Sequence, residues 1–208
     1  MEVIIIGISG VTCGGKTTLA NDLKKLIPNS VILSQDEYCF DLKDPRHIWC
    51  KEVHHINFDV ITGLDMDRML KDLEEAIGNK KLLNVNPSRY QLEPNGPPCE
   101  YLNIIDKLKV KNVFLIILDG FLLFAHKPLL PFMHLKYFFT LDKEECFRRR
   151  SNRVYNPPDI PGYFETCVWP EYVKHLKEIE SVVSDVTYFD NSVEDPLSIV
   201  IKDIASCL

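Results

Sequence analysis

Gly10-Val11-Thr12-Cys13-Gly14-Gly15-Lys16-Thr17 decides how the chain is read. The octet matches G-x-x-x-x-G-K-[ST] in full, and its surroundings are those the motif requires. Before it, Val3-Ile4-Ile5-Ile6 is a β-branched run suited to a strand covered on both faces. After it, Leu19, Leu23, Leu26 and Ile27 recur at helical spacing until Pro28 ends the pattern. The glycines let the backbone turn tightly and aim its N–H groups at a phosphate, and the positive end of the helix dipole adds to the attraction. Lys16 can reach the β- and γ-phosphates, and the Thr17 hydroxyl can ligate Mg²⁺. Residues Gly10, Val11, Thr12, Cys13, Gly14, Gly15, Lys16 and Thr17, with Thr18, are therefore the candidate nucleotide contacts.

Working outward, strand-like and helix-like stretches alternate. Val31-Ile32-Leu33, Val113 to Leu118, Tyr137-Phe138-Phe139 and Val186 to Phe189 read as further strands. Met66, Met69, Leu70, Leu73 and Ile77 mark a helix expected to stop at Gly78, and Tyr172, Val173, Leu176, Ile179 and Val183 mark another. Asp142 with Glu145 predicts a capping box, and Asp195-Pro196 an N-cap followed by proline at the first helical position. Trp169-Pro170 reads as a helix start. The pattern implies an α/β fold with a parallel sheet of about five strands and helices on both faces. Residues 37–64 lack periodicity and read as a substrate-side excursion, and the proline-rich residues 84–103 as a surface insertion in a single domain over 1–208.

The chain has 208 residues, 46% of them hydrophobic and 26% charged, which is globular composition. With 24 Lys+Arg against 30 Asp+Glu, its net charge of −6 argues against nucleic acid as a partner. The stretch from Val113 to Phe124 is interrupted by Asp119 and Gly120 and is too short to span a membrane. Seven scattered cysteines form no C-x-x-C pair, and the first ten residues read as a strand and not as an export signal. A reducing, cytoplasmic location is the expectation. His54-His55 offers no metal site, because adjacent imidazoles point apart on a helix or a strand.

Ligands of open α/β sheets gather at the carboxyl ends of the strands. Asp36 follows the second strand there, and Asp119 ends the 113–118 strand. Transfer of a phosphoryl group to a hydroxyl needs one carboxylate for the alcohol proton and another to hold water on Mg²⁺. Asp36 suits the first role and Asp119 the second, with Lys16 as the third catalytic candidate. Arg148, Arg149, Arg150 and Arg153 crowd six residues of an acidic chain, and on a helix Arg149 and Arg150 each share a face with Arg153. The Pro/Gly-rich residues after them suggest that residues 142–165 form a lid able to clamp a triphosphate.

These segments together carry a family resemblance. Gly7-Ile8-Ser9-Gly10-Val11-Thr12, Ser34-Gln35-Asp36, Gly120-Phe121-Leu122-Leu123-Phe124, Arg148 through Tyr155, and Pro157-Pro158-Asp159 through Phe164 resemble the nicotinamide riboside kinases over nearly the whole chain outside residues 80–112. The resemblance implies a P-loop kinase fold with an Arg-rich lid. It implies Mg²⁺-dependent transfer of phosphate from ATP, or from GTP, to the 5′-hydroxyl of nicotinamide riboside, with nicotinic acid riboside as a second substrate. By the same resemblance Asp36 is the proton acceptor, and Thr17, Asp36 and Asp119 surround the metal. Asp59 holds the ribose hydroxyls, while Phe58 and Tyr155 sandwich the pyridinium ring. Arg150 lies near the substrate, and Arg149 and Arg153 lie on the nucleotide side. Glu37, Tyr38, Cys39 and Asn156 complete the expected substrate side.

Independent chemistry agrees, since a cationic ring is drawn to π faces and a carboxylate can accept from two vicinal hydroxyls. The chain departs from the family pattern at Asp119, where glutamate is usual, at Phe58, where tyrosine is usual, and at Cys39, where an aromatic is usual. Two rivals share the phosphate loop: a uridine–cytidine kinase and a nucleotide-binding protein without turnover. The second would leave a pair of strand-end carboxylates without a job, and Asn79-Lys80-Lys81-Leu82 lacks the acid of a guanine-reading N-K-x-D. Small molecules are the expected partners, and a monomer the expected state.

Overall fold

A computed structural model describes residues 2–79 and 99–208. Five strands form one parallel sheet: β1 (Glu2–Gly10), β2 (Ser30–Ser34), β5 (Val113–Asp119), β6 (Leu135–Phe139) and β7 (Val186–Phe189), in the order β2-β5-β1-β6-β7. Side-chain alternation divides its apolar residues between two faces. Ile4, Ile6 and Ile8 of β1, with Val113, Leu115 and Ile117 of β5, join one cluster, while Ile5, Phe114, Ile116 and Leu118 join the other. Helices α1 (Lys16–Leu26), α3 (Cys99–Val110) and α6 (Pro196–Ser206) cover the first face. Helices α2 (Met66–Asn79) and α5 (Trp169–Val182) cover the second. Both faces are therefore buried, which is why the strands read as nearly continuous apolar runs.

The sheet switches direction at β1. Its neighbours are β5, paired from Glu2↔Val113 to Ile8↔Asp119, and β6, paired from Ile6↔Leu135 to Gly10↔Phe139. Such a switch opens a crevice at the carboxyl ends of the strands. Gly10 sits at its mouth with φ near +121°, and a Cβ there would collide with the Phe139 backbone. Only glycine serves at that position.

Several expectations need adjustment. Gly78 lies inside α2, which continues to Asn79. Of the expected surface insertion, residues 84–98 lie outside the described residues. Residues 99–103, however, open α3, whose Tyr101, Ile105 and Leu108 are buried. Residues 37–64 contain a small antiparallel hairpin, β3 (Ile48–Cys50) with β4 (His55–Asn57). The capping expectations hold in part. Asp142 accepts the Glu145 N–H at 2.8 Å, but the Glu145 carboxylate turns to Arg148 and Arg149 and does not reach back. Asp195 accepts from Ser198 N–H at 3.0 Å and opens α6. Helix α4 (Lys143–Arg150) ends at Arg150, so Arg153 lies in the turn beyond and shares no helix face with Arg149 or Arg150. No helix among the described residues is long and apolar enough to cross a membrane.

Candidate active site

The phosphate loop joins β1 to α1. Cys13 and Gly15 both hold positive φ, about 58° and 107°, so the chain curls around the space above α1. The first N–H groups of an α-helix have no intrahelical acceptor, and here they open into that space. The Val11 N–H is spent on the Phe139 carbonyl at 2.9 Å.

Lys16 is buried, 8% exposed, and its Nζ donates to the Val11 carbonyl at 2.6 Å. Burial lowers its pKa, and Asp119 and Asp36 pull it back up. Asp119 is 4% exposed at the end of β5, and its pKa is raised by burial against the opposing influence of Lys16. Its Oδ2 accepts from the Thr17 hydroxyl at 2.8 Å, while the buried Oδ1 has no hydrogen-bond partner. The shorter aspartate thus reaches the Thr17 hydroxyl directly. Asp36 lies two residues beyond Ser34, which pairs with Asp119 across β2 and β5, and it is exposed at the rim.

One cavity of about 410 Å³ gathers most of the expected site. Thr12, Cys13, Lys16, Thr17, Asp36 and Asp119 border one end. Cys39, Phe58, Asp59, Arg150, Arg153, Tyr155 and Asn156 border the rest. Asp59 accepts from the Tyr163 hydroxyl at 2.9 Å, and burial raises its pKa although Arg150 draws it down. Arg150 is 8% exposed and forked onto Asp159 at 2.6 and 2.9 Å, with its guanidinium 4.3 Å from the Tyr155 ring centroid. Tyr155 and Phe58 both line the cavity.

Two expected substrate residues are elsewhere. Glu37 is exposed and offers its carbonyl to Arg68. Tyr38 is buried in the core, its hydroxyl bonded to Asp72 at 2.8 Å. Their neighbours Asp36 and Cys39 turn toward the cavity because Gln35–Tyr38 is a 3-10 turn that sends successive side chains to different sides.

The arginines converge on the loop in spite of the helix ending early. Arg149 donates to the Cys13 carbonyl at 3.3 Å, and Arg150 donates to the Thr12 hydroxyl at 3.1 Å. Arg153 approaches the Cys13 thiol at 3.7 Å. Burial pushes that thiol up, but hydrogen bonds from Tyr155, Arg153 and Thr12 outweigh it and leave its pKa below the usual value. Arg148 is spent on Glu145 at 2.6 Å.

A second cavity, also about 410 Å³, lies across the loop and was not foreseen. It is bordered by Gly14, Gly15, Thr18, Thr140, Arg149 and the stretch from Asp190 to Leu197. Its far wall comes from the turn between β7 and α6 and the start of α6, where the only signature is the Asp195-Pro196 cap. Only its position beside Arg149 could have signalled it.

The domain model described as an AAA domain matches residues 6–170. Rat nicotinamide riboside kinase 1 is 38% identical over 206 residues, which cover 98% of this chain and 95% of that protein. Human nicotinamide riboside kinase 2 is 34% identical over 208 residues, covering 99% and 82%. A uridine kinase of Borrelia duttonii is 27% identical over 154 residues, covering 73% and 67%.

Proposed function

The chain belongs to the nicotinamide riboside kinase family, and from that premise we propose that it transfers the γ-phosphoryl group of ATP to the 5′-hydroxyl of nicotinamide riboside. The observation that carries this reading is a single cavity. It joins Lys16, Thr17 and two strand-end carboxylates at one end to Asp59 and two aromatic rings at the other.

The residues supply the parts the reaction needs. Asp36, at the solvent rim, accepts the proton of the 5′-hydroxyl as its oxygen bonds to phosphorus and ADP departs. Lys16 leaves the Val11 carbonyl for the phosphates. Arg149, Arg150 and Arg153 bring positive charge from the segment 142–165, which acts as a lid over the loop. Asp59 accepts from the ribose hydroxyls, and Phe58 and Tyr155 present π faces to the cationic ring, each favourable contact being worth about 0.5–2 kcal/mol.

The unpartnered Oδ1 of Asp119 and the adjoining Thr17 hydroxyl form an all-oxygen donor set that fits Mg²⁺. When bound there, the ion would neutralise charge on the β- and γ-phosphates. The cavity across the loop, next to Thr18 and Arg149, is where the nucleotide base fits. A pyrimidine riboside is the less favoured substrate, because the ring-binding end offers aromatic faces and charged groups, with Asn156 as its one amide.

The test is a coupled ADP-release assay with nicotinamide riboside on the wild type and Asp36→Asn. A kcat lower by about 10²–10⁴-fold, with little change in the KM for ATP, is expected for loss of a general base. Full turnover in Asp36→Asn would remove that assignment.

A further inference from the structure

His55 stands in the ring-binding end of the cavity with no part in the scheme above. It opens strand β4, and its imidazole meets Phe58 edge-on at 5.6 Å and Tyr163 at 5.3 Å. Nδ1 lies 2.9 Å from the Ile56 carbonyl. A carbonyl can only accept, so Nδ1 carries a proton, and the neutral tautomer that this bond selects has its lone pair on Nε2. No described residue donates to Nε2. The hydroxyl of the adjoining Tyr163 is committed, since it donates to Asp59 at 2.9 Å and accepts the Phe58 N–H at 2.8 Å. His55 thus brings an uncommitted hydrogen-bond acceptor to the cavity wall beside the Phe58 ring.

The acceptor matches only one of the two pyridine ribosides. A carboxamide on the pyridine ring has N–H donors, whereas a carboxylate has only acceptors. We propose that His55 accepts a hydrogen bond from the carboxamide N–H of the substrate, and so selects the amide riboside over its acid analogue. This rests on the reading of a pyridine riboside substrate given above. The acid would set its carboxylate against the imidazole lone pair, and a site built to accept a hydrogen bond discriminates against an analogue that cannot donate one. His47, on another edge of Phe58 at 5.7 Å, offers no equivalent, because it does not border the cavity and its Nδ1 faces Gly63.

The experiment measures kcat/KM for nicotinamide riboside and nicotinic acid riboside, with Mg²⁺ and ATP, for the wild type, His55→Leu and His55→Gln. The wild type is expected to favour the amide. His55→Leu should lower the amide-to-acid ratio about tenfold, while His55→Gln, which keeps an acceptor, should stay within about threefold of wild type. The KM for ATP should not move in either variant. A wild type that uses the two ribosides equally, or a ratio unchanged in His55→Leu, overturns the proposal. Should His55→Leu turn over neither riboside, calorimetric titration of both decides, and an equal loss of affinity for the two also overturns it. A wild type that phosphorylates neither compound would contradict the substrate reading itself, which separates the two failures.

Discussion

At Asp59 a carboxylate is held where the fold alone would not choose to put it. Burial raises its pKa, with Arg150 and the Tyr163 hydroxyl offsetting part of the shift. A carboxyl whose folded pKa exceeds its unfolded value binds protons more tightly when folded, so its ionisation costs stability as pH rises. The loss begins near the ordinary carboxylate pKa and is complete above the raised one. Asp59→Asn is therefore predicted to raise the melting temperature of the ligand-free protein at neutral pH. The gap between variant and wild type should widen as pH climbs out of the carboxylate range and then level off. The same variant should lose at least about tenfold in kcat/KM for the riboside, because ribose hydroxyls lose a charged acceptor. Thermal melts across pH 4–8 and steady-state kinetics check both halves, and a melting temperature that falls would contradict the burial argument. At this scale Lys16 and Thr17 stood out through the loop motif and Asp119 through its strand end, and the three border one end of one cavity. Tyr38 was expected on the substrate side, but this side chain, two residues beyond Asp36, is claimed by the core and by Asp72.

Among the elements, the long ones declared themselves and the short ones did not. Strands β1 and β5 are buried on both faces, and that demand wrote unbroken apolar runs into the chain. Hairpin β3–β4 has three residues per strand, and its outer residues Ile48 and Trp49 are exposed, so neither length nor alternation marked it. Helix α3 was obscured by the prolines just before it, although Tyr101, Ile105 and Leu108 repeat at helical spacing. Its link to α6 gives a direct test. Asp195 caps α6 through the Ser198 N–H and also accepts from the Tyr101 hydroxyl at 3.2 Å. Loss of an aspartate N-cap costs about 1 kcal/mol, which for a chain of this size lowers the melting temperature by about 2–4 °C. Asp195→Ala should show that drop in a thermal scan while Asp195→Asn, an equally good cap, stays near wild type. An unchanged melting temperature in Asp195→Ala would mean that the cap contributes nothing.

For the molecule as a whole, the parallel order β2-β5-β1-β6-β7 explains why sequence-distant residues meet. The switch at β1 places the loop after β1, Asp36 after β2 and Asp119 at the end of β5 along one edge, and Arg149, Arg150 and Arg153 reach the loop from the end of α4 and the turn beyond it. That convergence was readable from the loop motif and from the rule that ligands gather at the carboxyl ends of the strands. The second cavity was not, because its wall from Asp190 to Leu197 is set by where β7 and α6 pack. A ligand that binds only the folded chain stabilises it by about 2.7 kcal/mol at a hundredfold excess over its Kd. Mg²⁺ and ATP at such concentrations should therefore raise the melting temperature by roughly 5–10 °C. Lys16→Ala should abolish most of that shift, and an unchanged shift in the variant would contradict the role of the phosphate loop.

The central claim is that this machinery phosphorylates a pyridine riboside. It is tested most directly by mass-spectrometric competition, with the protein, Mg²⁺ and ATP given equal amounts of nicotinamide riboside, nicotinic acid riboside, uridine and cytidine. Phosphorylation of the pyridine ribosides first, with nicotinamide mononucleotide leading, is the expected result. Prior conversion of uridine or cytidine, or no phosphorylated product from any of the four, would contradict it.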